Sequence, residues 1–154
     1  MPKGPVIKVK QITSEDAGWK ASFREFYADC EVKKLAPRQA HAYFAAYAGG
    51  VLAGHCVVYF EKGRWIMNGL RVKPEFRQMG IGKLLTKARL RHAIANGAKE
   101  VWYACDDGNL VTICCHLAFG FEKICPENHN CDLTTVHWYR LKVTPALLKK
   151  IAVA

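Results

Sequence analysis

A basic turn with two glycines, placed between a predicted strand and a predicted helix, most constrains the fold of this chain. The apolar run Trp65–Val72 predicts the strand, and the apolar spacing that begins at Ile81 predicts the helix. Such a turn directs unpaired backbone N–H groups and the positive end of the helix dipole toward one point. The sequence therefore predicts a binding site for a phosphate group here.

The residues of the turn support this prediction. Gly80 and Gly82 allow positive φ angles and let a ligand approach the backbone closely. Arg77 and Lys83 add positive charge beside them. The combination favours a phosphorylated cofactor as the ligand.

The spacing separates this turn from two common nucleotide-binding loops. A Walker loop places Ser or Thr directly after Gly-Lys, where this chain has Leu84. A dinucleotide-binding loop requires a third glycine, where this chain has Leu85. The remaining pattern, R-x-x-G-x-G over Arg77–Gly82, resembles the R/Q-x-x-G-x-G/A coenzyme A pyrophosphate loop of the GNAT N-acetyltransferase superfamily.

A second segment carries the same resemblance. The run Asn109-x-x-Thr112-x-x-x-His116-x-x-x-Gly120-Phe121 is similar to N-x-x-A-x-x-x-Y-x-x-x-G-F, which many GNAT enzymes have at this place. It follows the first motif after one further predicted strand, as in the family. With the order of elements, the resemblance covers residues 6–143.

The resemblance implies how acetyl-CoA, the acetyl donor, is bound. The backbone of Leu70, Arg71 and Val72 would pair with the pantetheine arm like an added strand. Asn109 would help to position that arm. The resemblance implies no metal site. The pyrophosphate would lie against the backbone N–H groups of one continuous run of residues: Arg77, Gln78, Met79, Gly80, Ile81, Gly82 and Lys83.

The reaction implied is direct attack by a primary amine of a small molecule or peptide on the acetyl thioester, within a ternary complex. It passes through a tetrahedral oxyanion that nearby hydrogen-bond donors stabilise. His116 stands where many relatives have a tyrosine that protonates the departing thiolate. An imidazole can donate a proton, so His116 is a candidate general acid. The alternative is a packed helix residue, with catalysis by positioning alone.

A general base is harder to find, because Trp65–Val72 has no carboxylate. Asp106, at the end of the next predicted strand, is the nearest candidate, with Asp107 and Glu61 behind it. Helix capping is the alternative for Asp106 and Asp107. His55, on an inner strand, is either another base or a core histidine.

The remaining elements predict an α/β domain. Strands are expected at 6–12, 42–48, 52–60, 65–72, 100–105, 121–125 and 134–143, and helices from residue 17, near 31–34, from 81 to about 96, and over 110–119. This order predicts one GNAT domain over residues 1–154, with a core of about 6–143. Its central sheet would be mixed, mostly antiparallel and flanked by helices.

The net charge and the cysteine content limit which other classes of function are open to this chain. The net charge of +10 admits nucleic-acid binding, but the basic residues are spread along the chain, so attraction of an anionic cofactor is favoured. Seven cysteines, an odd number with Cys114 and Cys115 adjacent, favour reduced thiols and a cytoplasmic protein. No apolar run predicts a membrane span.

Three further alternatives follow from particular residues. The Cys125, His129, Cys131 and His137 cluster lacks the paired cysteines of a zinc site, so no metal is expected. The missing tyrosine and strand carboxylate leave open a coenzyme A-binding protein without catalysis. A homodimer is also open, because dimers are common among relatives.

Overall fold

A computed structural model describes residues 4–13, 15–26, 41–125 and 134–152, except for the side chain of Phe23. The elements in chain order are β1 (Ile7–Ile12), α1 (Trp19–Phe26), β2 (His41–Ala48), β3 (Val51–Glu61), β4 (Arg64–Val72), α2 (Ile81–Ala95), β5 (Glu100–Asp106), α3 (Leu110–Leu117), β6 (Glu122–Ile124), β7 (Val136–Lys142) and α4 (Pro145–Ile151). The helix predicted near residues 31–34 lies outside the described residues.

The seven strands form one sheet in the order β1-β2-β3-β4-β5-β7-β6. Strands β1 to β4 pair antiparallel with their neighbours, as do β5 with β7 and β6 with β7. The β4–β5 pair is parallel, because α2 carries the chain back across the sheet between them. The predicted α/β fold with a mixed, mostly antiparallel sheet is confirmed.

The helices cover both faces of the sheet. Along β2, Phe44 and Ala46 belong to the same core as Ile81 of α2, whereas Tyr43 packs in a second core with Phe26 of α1. Neighbouring strand residues point to opposite faces, so α1 and α2 lie on opposite sides of the sheet.

The sequence reading of α2 is partly wrong. Leu84, which the helical spacing from Ile81 places on the apolar face with Leu85, is exposed, while Arg89 and Thr86 are buried with Leu85 and Leu90. The buried stripe is turned toward α3, because α2 contacts that helix as well as the sheet. Helical spacing alone does not show on which side a second helix will pack.

Two other features differ from expectation. Helix α4 was not predicted, although Thr144 caps it by accepting a hydrogen bond from the Leu147 N–H and Pro145 starts it. Cys125 is disulfide-bonded, which corrects the expectation of reduced thiols throughout. That expectation rested on Cys114 and Cys115, which are indeed free.

Candidate active site

The sheet opens between its two parallel strands. Strands β4 and β5 pair only at Trp65 with Val101 and at Ile66 with Trp102, whereas β5 pairs with β7 from Glu100 to Asp106. Among the residues that the structure describes, no strand pairs with the edge of β4 that faces β5 beyond Ile66. An extended ligand can pair with a strand edge of this kind, although here the Asn68 and Val72 carbonyls already accept hydrogen bonds from Arg89 and Arg77.

A bulge in β4 lies at this opening. His55 of β3 lies opposite Arg71, and Val57 lies opposite Asn68, so β4 contains one residue more than β3 between these pairs. Gly69, within the bulge, has φ +58°, a conformation that glycine adopts without a Cβ clash. Bulges bend a strand and re-aim its groups, and they recur next to active sites.

A cavity of about 270 Å³ lies between the separated strands. Its walls come from four elements: residues 67–71 of β4, 103–105 of β5, Arg89 of α2, and Asn109, Thr112 and His116 at the start of and along α3. Leu70 and Arg71, which were predicted to contact the pantetheine arm, line this cavity. Val72, the third residue of that set, ends β4 beside them.

The phosphate-binding turn follows β4 and leads into α2. Gln78 and Gly80 both have positive φ angles, +64° and +79°, and Gly80 is the N-cap of α2 with no side-chain hydrogen bond. The first N–H groups of a helix have no partner within it, so those of Ile81, Gly82 and Lys83 need one from outside. A Cβ at Gly80 would meet nothing within 4 Å, so the backbone is open to a ligand. These features fit a pyrophosphate.

Gly82 is explained by packing, which corrects one part of the sequence reading. It is not among the glycines with positive φ, because it lies inside the first turn of α2. A Cβ there would lie 3.0 Å from the Cys115 sulfur of α3. The absence of a side chain at Gly82 thus lets α2 and α3 approach closely.

His116 lies on α3 and is 1% exposed. Its Nε2 atom is 3.1 Å from the Nη2 atom of Arg89, and its ring packs 4.3 Å from that of Tyr103 between centroids. Burial, and secondarily the charge of Arg89, hold the pKa of His116 well below its ordinary value of 6.5. His116 lines the cavity where the resemblance places the cofactor sulfur, but as a neutral imidazole.

Asp106 ends β5 and is bonded through both carboxylate oxygens. One accepts a hydrogen bond from the Thr135 hydroxyl, and the other accepts one from the Gly108 N–H at 2.8 Å. The Thr135 bond first, and then the Gly108 bond, lower the pKa of Asp106 below its ordinary 3.8. Asn109, not Asp106, is the N-cap of α3, so the expected capping role of Asp106 is wrong and its bonds instead stabilise the turn before that helix. A low pKa makes a carboxylate a weak base, and the base role stays a prediction.

The other base candidates are held in separate interactions. Asp107 lies 2.7 Å from Nδ1 of His137 and 3.5 Å from Nζ of Lys123. His55 is fully buried on the α1 face of the sheet, where burial lowers its pKa to about 4. Glu61 is exposed at the end of β3. None of these side chains lines the cavity among the described residues.

Asn109 caps α3, because its side-chain oxygen accepts a hydrogen bond from the Thr112 N–H at 3.3 Å, and it also lines the cavity. Burial raises the pKa of the Cys105 and Cys115 thiols, and Cys115 also packs against Gly82. Protonated thiols are poor nucleophiles, so a packing role explains these two cysteines better than a covalent step in catalysis.

Sequence reasoning missed Arg89 and Tyr103. Both line the cavity, are at most 2% exposed, and have a polar atom without a hydrogen-bond partner among the described residues: Nε of Arg89 and the hydroxyl of Tyr103. A signal for Arg89 was present, since it lies four residues after Leu85 and eight after Ile81, within the apolar stripe.

Within the described ranges, no group of His, Cys, Asp and Glu side chains has the arrangement of a metal site. His129 and Cys131 of the cluster considered above lie outside those ranges. The helices of the described part include none that is long and apolar enough to cross a membrane.

Among the described residues, a strand edge without a strand partner lies beside a helix start that has no side-chain cap, and this arrangement suits a phosphorylated cofactor with an extended arm. The sequence matches the model of the acetyltransferase (GNAT) family over residues 11–121. This protein therefore belongs to the GNAT family, whose members are N-acetyltransferases that use acetyl-CoA. The predicted family is confirmed. A search of curated proteins gives no match.

Solved structures show the same fold. The ribosomal-protein-S18-alanine N-acetyltransferase from Escherichia coli is 12% identical, with a TM-score of 0.73 over 90% of this chain and 95% of the other. The IAA acetyltransferase from Bacillus cereus is 15% identical, with a TM-score of 0.68 over 90% and 100%. A GNAT acetyltransferase from Elizabethkingia anophelis with acetyl-CoA bound is 15% identical, with a TM-score of 0.66 over 89% and 98%.

Proposed function

We propose that this protein transfers the acetyl group of acetyl-CoA to a primary amine of a small molecule or peptide, by direct attack in a ternary complex. The observation that carries this proposal is the opening between β4 and β5, which begins after Ile66 and leads to the turn before α2. It provides one continuous path for the cofactor arm and its pyrophosphate.

The residues present fit the cofactor. The Arg77 N–H already donates to the Pro74 carbonyl at 3.3 Å, so the backbone N–H groups of residues 78–83 would hold the pyrophosphate and Arg77 would add its charge. Leu70, Arg71 and Val72 would pair with the pantetheine arm along the edge of β4. Asn109 supports the arm from α3. When bound, acetyl-CoA supplies the acetyl thioester that the amine attacks.

In the reaction, the amine nitrogen attacks the thioester carbonyl and the carbonyl oxygen gains negative charge. Preorganised donors stabilise this charge more in the transition state than in the bound substrate. His116 lies at the cavity wall and is the proposed group at the thioester. Asp106 is the nearest candidate base, although its lowered pKa makes it a weak one, and it would take the amine proton only through water, because its side chain lies outside the cavity wall.

The acceptor amine is tested with a panel. Thiol release from acetyl-CoA is measured with small amines, amino acids and peptides as acceptors. The E. coli structural neighbour is named for an alanine of ribosomal protein S18, so peptides with a free N-terminus belong in the panel. Turnover with one acceptor class, and product mass increased by one acetyl group, supports the proposal.

A cofactor-binding protein without catalysis is the second candidate. It is favoured by a specific observation: His116 is held neutral by burial and Arg89, and Asp106 has a lowered pKa. Near neutral pH, a neutral His116 is a poor proton donor, and a carboxylate with a lowered pKa is a poor proton acceptor. Tight coenzyme A binding by calorimetry, with no turnover of any amine, would support this candidate against the enzyme.

A further inference from the structure

Arg89 is a buried cation in an unusual setting. It is 1% exposed, and its guanidinium donates hydrogen bonds to the Thr86 hydroxyl at 2.9 Å and to the Asn68 carbonyl at 3.4 Å. Within the described part of the chain, no carboxylate forms an ion pair with it. Buried charges are costly unless paired, so this arginine requires an explanation.

The contact between Arg89 and His116 fixes the protonation state of the imidazole. A guanidinium has only N–H donors and no acceptor. In the 3.1 Å contact between Nη2 and Nε2, Arg89 must therefore donate and His116 must accept. An accepting Nε2 carries no proton, so the neutral ring carries its proton on Nδ1.

That Nδ1 atom has no hydrogen-bond partner among the described residues, although it is buried. Buried polar groups in proteins are almost always paired. His116 lines the cavity together with Tyr103, whose hydroxyl is also unpartnered within the described ranges. His116 belongs to the wall of the cavity that the proposed function assigns to the thioester, and its buried Nδ1–H is the ring donor that has no partner among the described residues.

We propose that Arg89 is a positioning residue that fixes His116 as a neutral imidazole protonated on Nδ1, and that this N–H donates a hydrogen bond to the bound thioester. The proposal rests on the proposed function for the identity of the ligand. It replaces proton donation by His116 with stabilisation of charge, since a neutral histidine kept below its usual pKa can polarise a carbonyl group.

The chemical step then balances without an acid at position 116. The amine nitrogen forms a bond to the carbonyl carbon, and the electron pair of the C=O bond moves to oxygen. When the carbonyl re-forms, the C–S bond breaks and its electron pair leaves on sulfur as a thiolate. The amine proton passes to water, directly or through a base, and the thiolate takes its proton from solvent. The Nδ1–H of His116 remains in place throughout.

The groups that face His116 support a neutral ring. Arg89 approaches it from α2, and Tyr103 approaches it from β5 with Tyr139 of β7 stacked behind at 4.8 Å. Burial raises the pKa of both phenols, so they are uncharged near neutral pH. On its own helix, the neighbouring Cys115 thiol also has a raised pKa. Arg89 is therefore the charged group in contact with the imidazole.

The first test is ¹⁵N NMR of the imidazole nitrogens in the free protein, with the His116 signals identified by their loss in His116→Gln. We expect Nδ1–H and an unprotonated Nε2, with no titration of His116 between pH 6 and 8. Detection of the Nε2–H tautomer, or of an imidazolium in this range, would overturn the proposal. This arm needs neither an acceptor nor turnover.

Variants separate the charge of Arg89 from its hydrogen bond. Arg89→Gln retains an N–H donor without charge, so we expect the tautomer to be kept and the pKa of His116 to rise. Arg89→Met removes both, so the Nε2–H form should appear. Arg91→Met, on the same helix but bonded to the Ile151 carbonyl, is the matched control and should leave His116 unchanged. Equal effects of Arg89→Met and Arg91→Met would refute the assignment.

The second half of the proposal is tested by adding acetyl-CoA. Its binding should shift the Nδ1–H signal of His116, and Arg89→Met should lower kcat with little change in KM for acetyl-CoA. Binding that leaves the Nδ1–H signal unmoved would reject the thioester contact. Absence of turnover with any amine, with the signal shifted, would reject the proposed function alone. If Arg89→Met does not fold, the NMR spectra of Arg89→Gln and of the wild-type protein still test the tautomer of His116 and its contact with acetyl-CoA.

Discussion

The two ends of the proposed cofactor site, called the phosphate end and the thioester end, are built in different ways. At the phosphate end, the turn before α2 offers backbone N–H groups, and its conformation depends on Gly80 and on the left-handed Gln78. At the thioester end, side chains from three elements meet: Arg89 of α2, Tyr103 of β5 and His116 of α3. Backbone recognition suits a cofactor that a whole family shares, whereas side chains let the chemistry differ between members.

This comparison predicts a separation of effects. Changes at the phosphate end should weaken coenzyme A binding and leave kcat at saturating cofactor nearly unchanged. Changes at the thioester end should lower kcat and leave coenzyme A affinity nearly unchanged.

The largest effect is expected for His116→Phe, which removes the imidazole and keeps a ring of similar shape. Loss of one preorganised donor at an oxyanion typically lowers kcat by about 10²–10³-fold. Steady-state kinetics with the acceptor found in the panel measure kcat, and calorimetry measures coenzyme A affinity. An unchanged kcat would exclude both the acid role and the donor role of His116. A large loss of coenzyme A affinity would contradict the predicted separation of effects between the two ends.

The pH profile sharpens the same comparison. Because the pKa of His116 lies well below 6.5, wild-type kcat should show no inflection from this residue between pH 6 and 8. A general acid would require activity to fall as the imidazolium loses its proton with rising pH. A fall in kcat over this range that His116→Phe removes would favour the acid and contradict the neutral donor.

The next largest effect concerns the contact between α2 and α3. Gly82→Ala places a Cβ 3.0 Å from the Cys115 sulfur, and overpacking of this kind typically costs about 1–3 kcal/mol of stability. Thermal and urea unfolding measure the loss. Cys115→Ala in the same chain removes the obstructing sulfur and should restore much of it. If the double variant is no more stable than Gly82→Ala, the packing explanation of Gly82 fails.

A smaller effect is expected for Gly80→Ala. A residue with a Cβ costs about 1–2 kcal/mol in the left-handed conformation, and Gly80 has φ +79° with open space around it. Relaxation of the turn should lower coenzyme A affinity roughly tenfold, since about 1.4 kcal/mol corresponds to that factor. Gly97→Ala is the matched control, because Gly97 has φ +91°, equally open space, and lies at the other end of α2. It should lose similar stability and keep its affinity.

The same contrast explains how much could be predicted from the sequence. The turn from Arg77 to Lys83 follows from local order, because a strand, two glycines and a helix start are adjacent in the chain. Arg89 and Tyr103 lie outside both motifs, and their contacts with His116 depend on how two helices and a strand pack. Only the buried position of Arg89 on α2 gave a local signal. The buried polar atoms of Arg89, Tyr103 and His116 that lack a hydrogen-bond partner among the described residues could be recognised only in the folded structure.

The opening between β4 and β5 shows the same limit. Both strands were predicted within about one residue, but no local pattern shows that their pairing stops after Ile66. Gly69 gave a hint, since glycine inside a strand often marks a bulge. Pairing over long distances in sequence depends on the whole sheet, so the cavity could not be derived from the strands alone.

The smallest effect on kcat is expected for Asp106→Asn, because the Thr135 and Gly108 bonds give this carboxylate a structural role in the turn before α3. Its pKa is lowered in the folded protein, so its stabilisation is present above the unfolded pKa near 3.8 and is lost as the pH falls through the folded pKa. The variant should therefore be less stable than wild type at pH 7, and the difference should narrow below pH 4. Thermal unfolding at both pH values measures this. A large fall in kcat that higher pH restores would instead establish Asp106 as the base.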